Sequence, residues 1–265
     1  MMQMKNRRIL GVCLAAGALA WNLNAHGAAN RQARRAEPRR SIRVLLVTGG
    51  HPFETNAFLN IFQSMRGVRL RHATQPEAQQ WWRPDKRDAW DVLVLYDLWQ
   101  KVSSQAKEDF LSCLKEGKGL VVLHHALADY QDWPEFFAVA GGRYNLKPRK
   151  EKGKTIPAST YQHGVDVRDH IADPRHPVTR GMKDFTIHDE IYGKLELSPS
   201  VHPLLTTETP GSSPILAWVN QWQGRKTVCI QHGHDHFAYE NPNYRRIVAR
   251  AIRWVFRVNR SGGGR

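Results

Sequence analysis

The run Arg43-Val44-Leu45-Leu46-Val47-Thr48 is apolar at four successive positions and then stops at Gly49-Gly50-His51-Pro52. A strand with one wet face alternates apolar and polar residues, so an unbroken apolar run predicts a strand covered on both faces. Downstream, Phe58, Ile61, Phe62 and Met65 recur at spacings of three and four and predict a helix, followed by an alternating strand over 68–74. The pattern then repeats. A second apolar strand spans 91–97, and a helix over 103–116 has a serine near its start and Gly117 just past its end. A third apolar strand spans 119–125. Strands and helices of these lengths predict right-handed parallel crossovers, and ligands in such sheets bind at the carboxyl ends of the strands. The second half is less regular, with candidate strands over 159–168, 184–197, 202–208, 214–222 and 226–231. A closing helix over 242–257 carries Ile247, Val248, Ala251, Ile252 and Val255 on one face.

The flanking segments have a different character. Lys5, Arg7 and Arg8 precede an apolar stretch over 9–21 and then small residues through Ala29, which predicts a signal peptide over 1–29 and a secreted or periplasmic product. The apolar stretch is short for a bilayer span, so no stable membrane span is expected after cleavage; retention as an uncleaved anchor is the alternative. Residues 30–41 read as a disordered basic linker, 42–257 as the folded domain and 258–265 as a flexible tail. Before Ser41, eight basic residues against the single Glu37 hold nearly half of the formal charge of +15. The remaining charge is scattered and accompanies no docking motif, so nucleic acid is not an expected partner. Cys113 and Cys229 stand in no disulfide or zinc-knuckle spacing and read as buried thiols.

Ligand-capable side chains stand where the apolar strands stop: His51, then His124 and His125, then His232, His234 and His236. Asp189 and Glu190 lie between His188 and Tyr192. Imidazoles with a carboxylate form a borderline donor set, and the cofactor they suit is a divalent metal, zinc or similar. The expected metal ligands are His51, His124 and His234. His124, Asp189 and Glu190 are the expected acid–base groups, and His51, His125, Trp133 and Tyr192 the expected substrate contacts. If extended, 232–236 puts its three histidines on one face, whereas Asp189 and Glu190 face opposite ways. Gly49-Gly50 lacks the further spaced glycine and lysine of a phosphate loop, which disfavours nucleotide chemistry.

Thr48-Gly-Gly-His51, Gly119-Leu-Val-Val-Leu-His124, Trp133-Pro134 before Gly141-Gly142, Asp173-Pro-Arg-His-Pro-Val-Thr179, Asp189-Glu-Ile-Tyr192 and Gly233-His234 before Pro242 and Trp254 follow one another in this order. Over 42–257 that order resembles the ThuA-like (trehalose-utilisation) family. The resemblance implies an α/β, flavodoxin-like three-layer sandwich with a mostly parallel central sheet, of the class I glutamine amidotransferase type, and a setting in the degradation of sugars. In the amidotransferase relatives a cysteine nucleophile sits on the turn after the strand that here ends at His124. This chain has His125-Ala126 there, so a cysteine-dependent glutaminase is not expected. The expected function is an exported protein acting on a small sugar or keto-sugar, as a hydrolase or lyase with metal-assisted acid–base chemistry. A non-catalytic glycan- or partner-binding periplasmic module is the alternative, and a homo-oligomer stays open.

Overall fold

The computed structural model describes residues 41–151 and 153–261. The expected signal peptide and the linker up to residue 40 lie outside the described residues, as does the end of the tail. The first half consists of β1 (Ile42–Gly49), α1 (Thr55–Gln63), β2 (Val68–Thr74), β3 (Val92–Asp97), α2 (Ser104–Lys115) and β4 (Gly119–Leu123). A 3-10 turn (His124–Ala128) and α3 (Pro134–Ala140) follow. The second half adds β5 (Thr160–Ile171), β6 (Phe185–Gly193), β7 (His202–Thr206), β8 (Ile215–Trp222), β9 (Arg225–Ile230), α4 (His236–Glu240) and α5 (Pro242–Ser261). No helix among the described residues is long and apolar enough to cross a membrane.

Among the described residues these strands form a nine-stranded sheet in the order β2-β1-β3-β4-β9-β8-β7-β5-β6. From β2 to β9 every pairing is parallel. From β9 to β6 every pairing is antiparallel, so the sheet is mixed, with a parallel half and an antiparallel half. The change of direction has a local cause. β8 and β9 are joined by Gln223 and Gly224 alone, both at positive φ (45° and 78°), and a two-residue turn of that kind can only reverse the chain.

The unbroken apolar strands are explained by the layers. Val44 and Leu46 pack with α1 and α5, while Leu45 and Val47 pack on the other face with α2 and α3. Each fully buried Val or Leu contributes about 1.5–3 kcal/mol, so both faces of the strand stabilise the sandwich. α2 is capped as its serine suggested, with Ser103 Oγ accepting from Ala106 N–H at 3.1 Å. α5 runs on to Ser261, and 258–261 is therefore helix where the sequence suggested the start of a tail. Asn259 ties that last turn to β9, accepting from Lys226 N–H at 2.8 Å and donating to Lys226 O at 2.9 Å.

Candidate functional site

The first apolar strand ends where expected, but β4 stops at Leu123, two residues early, because His124 takes φ +49° and turns the chain into the 3-10 segment. A non-glycine residue at such φ is strained, and strain of this kind is held only where the surroundings fix it. Here His124 is fully buried, and its Nδ1–H donates to the Gln231 carbonyl at 2.7 Å. With Nδ1 protonated, the neutral ring presents Nε2 as a lone pair. That atom lies 3.0 Å from Glu190 Oε2, 3.3 Å from His234 Nδ1 and 3.1 Å from the Tyr192 hydroxyl. His234 Nδ1 is itself 3.3 Å from Glu190 Oε2.

Three donor atoms thus converge with edges of 3.0, 3.3 and 3.3 Å. Bonds of about 2.0–2.2 Å to one ion spanning such edges enclose angles of roughly 90–105°, those of one face of a tetrahedron or octahedron. The chemistry fits as well, because lone pairs facing each other at this distance need a proton or a cation between them. Burial alone would raise the Glu190 carboxyl, yet the His124 imidazole against it and the bond from His234 outweigh burial and hold Glu190 well below the usual carboxylate range. The same bond to Glu190 raises His234.

His124, Glu190 and Tyr192 border a cleft of about 240 Å³ that is also lined by His51, His125, Tyr144, Tyr161 and His163. Of the expected metal ligands, His124 and His234 come together; the third member of the cluster is Glu190 rather than His51. His51 instead donates Nδ1–H to the Pro52 carbonyl at 2.7 Å and stands with its ring 4.8 Å from that of His125. His125 Nδ1–H donates to the Asp97 carbonyl at 3.0 Å, and its buried Nε2 has no hydrogen-bond partner among the described residues. Burial, with His124 and His51 beside it, pushes His125 well below the ordinary histidine range.

Two expected site residues are placed elsewhere. Trp133 is buried against Phe110 and Phe136 and does not line this cleft. Asp189 is also buried and lies on the face of β6 opposite Glu190. It accepts from Gly233 N–H (2.8 Å), His234 N–H (3.0 Å) and His232 Nδ1–H (2.9 Å). The far nitrogen of His232 donates to Asp169 at 2.9 Å, so this ring is an imidazolium between two carboxylates, pushed up to about 10 once their pull overcomes burial. His232, His234 and His236 therefore do not share a face. Gly233 at φ +124° breaks the extension and His236 starts α4, where it pairs with Glu54.

Sequence reasoning missed His163 and Asp169. His163 Nδ1 sits 3.2 Å from Glu190 Oε1. The signal that pointed to it was His163-Gly164 inside an otherwise strand-like run, since a glycine there marks a bulge.

Comparison with known proteins agrees with this architecture. The chain is similar to a ThuA-like protein from Parabacteroides merdae ATCC 43184, with a TM-score of 0.69 and 17% identity over 82% of this chain and 90% of that one. A ThuA-like protein from Bacteroides uniformis ATCC 8492 superposes with a TM-score of 0.60 and 16% identity, over 83% and 94% of the two chains. A β-galactosidase from Bacillus circulans sp. alkalophilus is matched over 30% of its own length, at a TM-score of 0.51 and 8% identity over 79% of this chain. At these identities the likeness is one of fold. No protein of curated function matches the chain in sequence. The family model described as trehalose utilisation covers residues 43–255, which points to carbohydrate utilisation, and the chain belongs to that ThuA family.

Proposed function

We propose that this protein is an exported enzyme acting on a small uncharged sugar or keto-sugar, with a divalent metal, zinc or similar, held by His124, Glu190 and His234. The observation that carries the reading is the convergence of those three donors beside a cleft at the carboxyl ends of the parallel strands. A cleft of about 240 Å³ is near the small end of ligand sites, which run to about 300–1,000 Å³, so it suits one sugar ring better than a polymer segment. When bound, the metal supplies polarisation of a carbonyl or hydroxyl oxygen.

The chain's own residues do the rest. Tyr144, Leu146 and Tyr161 form an apolar wall against which the C–H face of a sugar can lie. His51, its Nδ1 tied to the backbone, keeps Nε2 as an acceptor for a substrate hydroxyl or for a proton released in the reaction. Asp189, engaged on the far face, holds the His234 backbone in place and moves no proton. Export rests on the signal-like residues 1–29.

Elemental analysis of the purified domain, with and without chelator, tests the proposal alongside turnover of keto-sugars and glycosides. About one metal per chain, whose removal lowers the melting temperature and abolishes turnover, is the expected result. Absence of metal together with retained glycan binding would overturn the enzyme reading in favour of a binding module.

A further inference from the structure

β5 and β6 pair residue for residue except at one place. Gln162 faces Ile191 and Val165 faces Asp189, so His163 and Gly164 together oppose the single residue Glu190. This is a β-bulge, a device that bends a strand and re-aims a side chain next to a site. Gly164 sits at φ +66°, where other residues are strained, although a Cβ there would meet nothing closer than His188 Nε2 at 3.7 Å. Backbone conformation, not crowding, is thus what the glycine provides. The ladder continues on both sides, from Thr160 opposite Gly193 to Asp169 opposite Phe185. What the bulge changes is the aim of His163, whose Nδ1 reaches Glu190 Oε1 at 3.2 Å.

Glu190 Oε2 is already shared by His124 and His234. A carboxylate free to rotate can offer both oxygens to an ion and fill two coordination positions. Tied at Oε1, it offers one.

We infer that His163 is a positioning residue that keeps Glu190 a one-oxygen ligand, so that the metal of the proposed function retains open positions for a sugar's oxygen atoms. The inference rests on that proposed metal reading and adds the residue that keeps the site open. An open position is what separates catalytic from closed structural metal sites. His163 acts through the 3.2 Å contact of its Nδ1 with Glu190 Oε1. Its side chain is 58% exposed, so its replacement leaves the core intact.

Cobalt(II) alone is the probe, added to the metal-stripped full chain and followed by its visible absorption and by titration calorimetry. In the wild type one Co2+ is expected, with the absorption of a low-coordinate ion. In His163→Ala, Glu190 is released to bind through both oxygens, so the absorption should weaken and shift while thermal stability without metal stays unchanged. Affinity should change by about tenfold or more, as outer partners of metal ligands commonly do. His163→Asn places an amide N–H near the lost Nδ1 and should restore the wild-type spectrum. Wild-type spectrum and affinity in His163→Ala would overturn the inference while leaving the metal site standing. Failure of the wild type to take up Co2+ would overturn both, and is told apart by that control.

Discussion

Asp189 and Glu190 are adjacent on β6 and serve opposite faces of it. Asp189 accepts from the Gly233 and His234 amides at 2.8 and 3.0 Å, and Glu190 meets the His234 ring at 3.3 Å. One dipeptide therefore fixes both the backbone and the side chain of His234, each from its own side.

Replacing Asp189 by alanine should be strongly destabilising. It leaves the Gly233, His234 and Glu190 amides without this acceptor and the His232 imidazolium with one carboxylate where it had two, Asp169 alone remaining. Breaking one side of a buried ion pair costs about 3–5 kcal/mol. Chemical denaturation checks this, and a loss below about 1 kcal/mol would show that the network is not needed for the loop.

Glu190→Gln removes the only carboxylate of the three-donor cluster while keeping its shape. Zinc affinity should fall by at least the roughly 10–100-fold seen when mere supporting groups are lost. Calorimetry on wild type and variant decides; equal affinities would remove Glu190 from the ligand set.

Asp97 and Asp129 form a buried carboxyl pair beneath the cleft. Burial pushes Asp97 from 3.8 up to about 6 and, with Asp97 beside it, pushes Asp129 well above the carboxylate range. A group raised in the folded state stabilises fully below its unfolded pKa, and that contribution is lost as pH rises through the folded value. Between about pH 4 and 6 the wild type should therefore lose stability. Asp129→Asn keeps an acceptor for the Trp99 N–H, now at 2.7 Å, and a donor toward Asp97, and should flatten the curve. Urea denaturation across this range is the measurement, and parallel curves for the two proteins would refute the assignment.

Gly50→Ala tests the first strand end. A Cβ at Gly50 would lie 2.0 Å from the Leu98 carbonyl oxygen, at φ +77°. The backbone must shift, at a cost above about 1 kcal/mol, and His51 shifts with it. Thermal melting should show the loss, and a crystal structure with His51 unmoved would argue against the coupling.

What the sequence determined by itself was the alternation of buried strands and helices. Val44 to Val47 can be apolar at every position only in a strand covered on both faces, and that local requirement is written in composition and order. The facing of Asp189 and Glu190 was legible for the same reason, because strand periodicity is local. Only the tertiary structure decided which donors meet. His124, Glu190 and His234 lie on β4's turn, on β6 and in the loop after β9, and their approach depends on a chain reversal at Gln223-Gly224 and on how the strands are ordered in the sheet. His51 lines the cleft but stands outside the three-donor cluster, tied to Pro52, and Trp133 resembled a site residue by type and position until an apolar contact with Phe136 settled where it lies. His163 was marked in the sequence only by the glycine after it, because its aim comes from one extra residue in a ladder, and register is a property of two strands at once.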